Sequence, residues 1–151
     1  MKKHILLSAL LIASVSVTFV SCKKDKDPEK SRKDLITGTW TVSGLGKDAN
    51  NNGTLEEAEY DPTFKQLAAF GVSPKQTFVT DGSGTITATI PLLGDTTVRF
   101  NWSLVESDQT IQIKSEDDAA SGDFTITKLD NVSFEYLGKN DSSRNVVKLT
   151  R

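Results

Sequence analysis

The sequence predicts an all-β domain, an eight-stranded antiparallel up-and-down barrel with one short helix after the first strand. Three observations carry this prediction. Apolar and polar residues alternate over short runs, as they do in strands with one buried face. Gly, Asp and Asn separate these runs as turn residues. The connections after residue 75 are short, which makes neighbouring strands antiparallel. An antiparallel β-sandwich is the alternative, because it also needs one apolar face per strand.

The first residues have the features of a bacterial export signal. A basic start precedes a mostly apolar stretch, Ile5 to Val20, which is short for a membrane span. A buried N-terminal helix is the alternative, and the flanking charges disfavour it. The run Phe19-Val20-Ser21-Cys22 resembles a lipobox. This resemblance implies that residues 1–21 are removed and that Cys22 carries acyl chains.

Residues 22–33 follow as a charged segment whose composition cannot bury enough surface to fold. The segment resembles the tether of some Gram-negative lipoproteins. That resemblance implies a cell-envelope protein, lipid-anchored to the outer membrane through Cys22 and either periplasmic or surface-exposed. The folded domain is expected over residues 34–151.

Removal of the signal excludes several kinds of chemistry. His4 is the single histidine of the chain, and Cys22 is its single cysteine. The mature protein therefore lacks the residues for a Ser-His-Asp triad, a Cys-His dyad or a His-ligated zinc site. Acidic residues outnumber basic ones in the folded domain, which argues against nucleic-acid binding. We predict a monomer that is not an enzyme.

The strands follow from period-two alternation. The first contains Trp40 and Val42 between threonines, and the second covers 76–80. In the fourth strand, polar residues alternate with Val98, Phe100, Trp102 and Leu104, so one face of the strand is apolar and the other is solvent-exposed. The third strand and the last four are predicted around 86–90, 111–113, 124–126, 132–136 and 147–149.

The helix lies between the first two strands. Asp61 suits the N-cap, Pro62 the first helical position and Gly71 the residue past the end. Its apolar stripe is expected to pack on an open end of the barrel, and a surface that docks a partner is the alternative. The stripe comprises Phe64, Leu67, Ala68 and Phe70.

The segment from residue 48 to residue 59 resembles an EF-hand calcium loop. Gly53 holds the sixth position, where the chain turns sharply, and Leu55 the apolar eighth. The oxygen ligands at positions one, three, five, seven, nine and twelve are Asp48, Asn50, Asn52, Thr54, Glu56 and Glu59. A strand precedes the loop instead of a helix, and an Asn/Gly-rich loop bonded to its own backbone is the alternative. The resemblance implies Ca²⁺ binding, and because only three of these ligands are carboxylates, the expected affinity is weak and of the extracellular type.

Gly38-Thr39-Trp40 resembles the Gly-x-Trp signature of lipocalins and fatty-acid-binding proteins. In those families the Trp closes one end of the barrel and a late Arg packs across it, and here the resemblance implies Arg151 for that role. It also implies a small apolar ligand inside the barrel. The aromatic residues expected to line or close the interior are Trp40, Phe100, Trp102, Phe134 and Tyr136.

An eight-stranded barrel is just wide enough for its own side chains to fill it. The alternative function is therefore a non-catalytic structural or interaction module with a filled barrel, stabilised by calcium. A cavity of at least ~300 Å³ that opens to solvent would favour a binding protein.

Overall fold

The computed structural model describes residues 29–118, 120–138 and 144–151. The predicted signal segment, Cys22 and most of the predicted tether lie outside these ranges. Within the described ranges, no helix has the length and apolar character needed to cross a membrane. The strands are β1 (Gly38–Lys47), β2 (Lys75–Phe78), β3 (Ser83–Ile90), β4 (Gly94–Val105), β5 (Thr110–Ser115), β6 (Gly122–Leu129), β7 (Ser133–Gly138) and β8 (Asn145–Thr150).

The eight strands form a closed antiparallel barrel. Each strand pairs with the next along the chain, and β8 pairs with β1 to complete the ring. The longest hairpin joins β3 to β4, with a register that runs from Ser83 opposite Asn101 to Ile90 opposite Gly94. Closure leaves the sheet without an unpaired edge. The predicted barrel is confirmed, and the sandwich alternative is wrong.

The barrel has two different ends. The short turns β2–β3, β4–β5 and β6–β7 lie at one end, which we call the closed end. The connections β1–β2, β3–β4, β5–β6 and β7–β8 lie at the other, the open end. The long β1–β2 connection contains a 3₁₀-helix (Glu57–Glu59) and helix α2 (Pro62–Ala69). The largest insertion in the chain is therefore at the open end.

A helix at the closed end was not predicted. Helix α1 (Arg32–Ile36) begins after Ser31, whose hydroxyl accepts a hydrogen bond from the Asp34 amide while the Asp34 carboxylate accepts one from the Ser31 amide. This is a capping box with Asp in place of the usual Glu. Ile36 is fully buried under the barrel. The helix was not predicted because its first residues belong to the charged tether and its apolar residues come only in the last turn.

Helix α2 has the predicted ends. The Asp61 carboxylate accepts a hydrogen bond of 2.9 Å from the Phe64 amide, and Gly71 adopts a φ of 76° past the end. The apolar stripe is narrower than predicted. Phe64 and Leu67 are half-buried, but Ala68 is exposed and Phe70 is 77% exposed. Phe70 is exposed because it follows the last helical turn and no longer lies on the stripe.

Aromatic rings fill the closed end. Phe78 lies at the centre, with ring centroids 5.4 Å from Phe100, 5.5 Å from Trp102 and 5.7 Å from Phe134. Trp40 adds a contact of 5.7 Å to Phe134. Tilted and edge-on rings at these distances attract one another beyond the burial of their area. We call these five residues the aromatic plug.

Candidate functional site

A cavity of about 850 Å³ occupies the open end of the barrel. Strand residues form its walls, and the half-buried Phe64 and Leu67 of α2 cover one side. Apart from the exposed Leu45, the apolar wall residues from the strands are Val42, Ile86, Ile113, Phe124 and Val147. All of these except Ile113 are only partly buried, because the cavity leaves one side of them without a packing partner.

The cavity exists because side-chain size falls along the strands. On β1, the inward Trp40 of the plug is followed two residues later by the smaller Val42. On β2, the inward Phe78 is preceded two residues earlier by Gln76. Residues two apart share one face of a strand, so these pairs point into the same interior at different heights. Large rings fill the closed end, and shorter side chains leave space above them.

Gln76 and Tyr136 form the floor of this cavity. Both line the cavity, and Tyr136 also contacts Phe134 of the plug, with ring centroids 5.2 Å apart. The Tyr136 hydroxyl donates a hydrogen bond of 2.9 Å to Oε1 of Gln76. Nε2 of Gln76 has no hydrogen-bond partner among the described residues, although the side chain is 2% exposed. Burial raises the pKa of Tyr136 far above its usual value, so the floor is neutral.

The charged residues of the described lining lie at the mouth. Lys47 is the exposed last residue of β1, and Asp61 is the N-cap of α2. Glu59 belongs to the 3₁₀-helix, and its carboxylate is bonded to backbone amides of the preceding loop. The cavity therefore has a charged rim, apolar walls and a neutral polar floor.

Trp40 and Arg151 close the opposite end. The Arg151 guanidinium carbon lies 3.9 Å from the centroid of the Trp40 ring, so the two residues that the resemblance pairs are in contact. The Trp40 indole N–H donates 2.7 Å to the Ile36 carbonyl, and Arg151 donates to the carbonyls of Leu35 and Thr37. These contacts hold α1 across the barrel end.

Gly38 explains the first residue of the Gly-x-Trp motif. Its φ is 125°, a backbone conformation that other residues rarely adopt. A Cβ on Gly38 would lie 2.9 Å from Nη2 of Arg151. Glycine is required here because the guanidinium lies directly against the backbone.

The predicted aromatic residues separate into two groups. Trp40, Phe100, Trp102 and Phe134 are buried in the plug and do not line the cavity. Tyr136 alone of the five lines it. The strands place the other four one layer nearer the closed end, so of the two expected roles they have closure of the interior and not its lining.

Gln76 is the residue of the floor that sequence reasoning missed. The available signal was a Gln two residues before Phe78, on the inward face of a predicted strand. A polar residue at such a position is a candidate for an interior hydrogen bond, because a buried polar group is costly without a partner.

The loop from residue 48 to residue 59 closes on itself at the mouth. Glu59 Oε1 accepts hydrogen bonds from the amides of Ala49 (2.9 Å) and Asn50 (3.3 Å), and Oε2 accepts one from the amide of Glu56 (3.0 Å). The predicted twelfth position therefore lies beside the second and third. Leu55 packs on Val146 and Leu137 and anchors the loop outside the barrel.

The other predicted calcium ligands also bond within the loop. Asp48 is 2% exposed and accepts from the amides of Asn52 (3.0 Å) and Gly53 (2.9 Å). Asn50 Oδ1 accepts from the Asn52 amide, Asn52 Oδ1 from Thr54, and Glu56 from the Asn52 side chain. Arg144 lies 3.5 Å from the Asp48 carboxylate. The described part of the chain holds no group of three or more Asp, Glu, His or Cys residues arranged for a metal.

Comparison with known proteins adds a structural similarity. The chain is similar to a lipocalin-like protein from Bacteroides uniformis ATCC 8492 whose crystal structure is known, with 16% identity and a TM-score of 0.47. The similarity covers 75% of this chain and 96% of that one. No protein-family model and no curated protein matches the chain. The fold assignment rests on the strand pairing described above, which gives the barrel that the Gly-x-Trp resemblance implies.

Proposed function

We propose that this protein is a non-catalytic binding protein of the cell envelope that takes a small, largely apolar ligand into the open end of its barrel. The observation that carries the proposal is the cavity of about 850 Å³, with apolar walls and a polar floor. Ligand sites in proteins are typically ~300–1,000 Å³, mostly apolar, with a few polar groups that orient the ligand. A filled interaction module would lack such a space.

The wall residues supply the driving force. Val42, Ile86, Phe124 and Val147 are partly buried, and a ligand that covers them removes apolar surface from water. Each Å² so covered contributes about 25 cal/mol before the cost of ordering the ligand. The neutral, uncharged dye N-phenylnaphthylamine is a suitable probe, because its fluorescence rises in an apolar site.

The test is a titration of the mature protein with this dye. Val42→Phe and Val147→Phe each place a larger side chain in the cavity and should weaken dye binding while the fold is kept. Val132→Phe is the matched control, since Val132 is 60% exposed and lies at the closed end. Failure of the native protein to bind the dye would favour the interaction-module alternative. Equal binding by all three variants would place the dye outside the cavity.

The envelope location rests on Cys22. The lipobox and the charged residues after it support acylation of this cysteine and attachment to the outer membrane. Mass spectrometry of the native N-terminal peptide tests the proposal. A peptide that continues through Ser21, or an unmodified Cys22, would contradict it.

We propose Ca²⁺ binding by the 48–59 loop as a second function. The observation that favours it is the return of Glu59 to the amides of Ala49 and Asn50, which brings the ends of the loop together. Oε1 of Glu59 already accepts two N–H groups, whereas Oε2 accepts one, from Glu56, and so keeps a second lone pair for a cation. Arg144 beside Asp48 opposes a cation, so the expected affinity is weak.

A thermal melt in millimolar calcium against chelator tests this function. Tenfold excess over Kd would stabilise the fold by about 1.4 kcal/mol, which is on the order of 4 °C for a domain of this length. Glu59→Gln should remove the calcium-dependent part of the shift, whatever its effect on basal stability. Magnesium is the control, because it demands octahedral geometry and should stabilise less. An identical melting temperature with calcium and with chelator would leave only a self-bonded loop.

A further inference from the structure

The unpartnered amide of Gln76 points to the chemistry of the ligand. We propose that the cavity selects ligands whose buried end is a neutral hydrogen-bond acceptor, such as an ester, ketone or amide carbonyl, and rejects the corresponding carboxylates. This inference rests on the proposed function and specifies which apolar ligands the same cavity takes.

The first step is the hydrogen-bond inventory of the floor. The Gln76 side chain has one acceptor and two N–H donors, and the Tyr136 hydroxyl already occupies the acceptor. Nε2 is left without a partner among the described residues. Buried donors in folded proteins are nearly always satisfied. Nε2 is fully buried in this structure, so a ligand carbonyl accepts from it only after the amide turns toward the cavity, and that contact would complete the inventory.

The second step is the placement of charge. Lys47, the cation among the described lining residues, is at the mouth and exposed. Glu59 and Asp61 are at the same end and repel an anion. A carboxylate at the floor would lose its hydration without an opposite charge to replace it, which is costly. A neutral carbonyl meets no such barrier.

The third step is the shape of the site. The floor contacts the aromatic plug below it, through the ring of Tyr136 on Phe134. Apolar walls separate this floor from the charged rim. A ligand with a polar head and an alkyl tail can therefore place its head on Gln76 and its tail along the walls.

The experiment displaces N-phenylnaphthylamine with three ligands of equal chain length: methyl decanoate, decanamide and decanoate. At neutral pH the ester and the amide should bind at least tenfold more tightly than the carboxylate. Gln76→Leu keeps the size of the side chain and should weaken ester binding by about fivefold to twentyfold, the usual effect of one buried hydrogen bond. Its affinity for the dye should change less than twofold.

Two further variants keep the test decisive. Gln109→Leu, at an exposed glutamine of the β4–β5 turn, is the matched control and should bind all ligands as the native protein does. Tyr136→Phe frees the Gln76 acceptor and should strengthen decanamide relative to the ester, because the amide can then also donate. The ester-to-carboxylate comparison needs no variant, so a misfolded Gln76→Leu protein does not end the test.

The outcomes separate the two proposals. Two results would overturn the neutral-acceptor inference and leave the binding function standing. In both, the native protein binds the dye. In the first, decanoate binds as tightly as methyl decanoate, and in the second, the ester does not displace the dye. Dye binding with unchanged ester affinity in a folded Gln76→Leu protein would do the same. Absence of dye binding to the native protein would overturn the proposed function and the inference with it.

Discussion

Replacement of Arg151 by Met should open the closed end of the barrel. The guanidinium stacks on Trp40 at 3.9 Å and donates hydrogen bonds to the carbonyls of Leu35 and Thr37. The cation–π contact is worth about 0.5–1 kcal/mol at an exposed site. Each of the two hydrogen bonds adds a net ~0.5–1.5 kcal/mol, and water can reach the carbonyls after the change. We expect a loss of about 2–3 kcal/mol in the free energy of unfolding.

Chemical denaturation monitored by tryptophan fluorescence measures this loss. In a separate thermal melt, the melting temperature should fall by roughly 10 °C, since 1 kcal/mol corresponds to about 3–5 °C for a domain of this length. Arg99→Met, at an exposed arginine of β4, is the matched control and should change stability by less than about 0.5 kcal/mol. Arg151→Lys should recover only part of the loss, because lysine cannot present a planar fork. Equal stability of Arg151→Met and Arg99→Met would refute the closure argument.

Two more predictions concern the interior. A Cβ on Gly84 would overlap the Phe100 ring, so Gly84→Ala should lower the free energy of unfolding by about 1–3 kcal/mol. In a double-mutant cycle, Phe100→Leu should recover part of this loss. Strictly additive losses from the two substitutions would contradict the clash. Burial raises the pKa of Tyr136, so the folded state keeps the phenol protonated while the unfolded chain ionises. Its stabilisation is complete below about pH 10 and is lost above it, by about 1.4 kcal/mol per pH unit. Tyr136→Phe should therefore show a shallower alkaline decline in equilibrium unfolding, and equal slopes would count against burial as the cause.

The strands could be predicted because each has a local signal. Alternation fixes the faces of a strand, and turn residues fix its ends, so β4 is read directly from Val98 to Leu104. Local sequence patterns do not determine whether the barrel closes, because the pairing of β8 with β1 joins residues more than 90 positions apart. Helix α1 was missed for the same reason. It is held in part by Arg151, which donates to the carbonyls of Leu35 and Thr37 from more than 110 positions away.

The site was harder to predict than the fold. Strand alternation tells which residues face inward, but the height of each residue in the barrel depends on register. Phe100 and Tyr136 both face inward, yet the first belongs to the plug and the second to the cavity. Alternation marks Gln76 as inward-facing, but its partner Tyr136 is sixty positions away and was placed beside it only by the fold. The lipidation of Cys22 and calcium binding by the 48–59 loop remain predictions.

Helix α1 also determines where the preceding chain joins the barrel. It crosses the closed end, with Arg32 bonded to the Asp108 carbonyl of the β4–β5 turn. The ten residues of β1 span roughly 30 Å at about 3.3 Å per residue, or roughly 25 Å of height for a strand tilted by about 40°. If Cys22 is acylated, the tether joins the barrel at the end opposite the mouth of the cavity. Ligand entry straight from the lipid leaflet would then require the domain to turn over, which residues 22–31, at up to about 3.3 Å each, are long enough to allow.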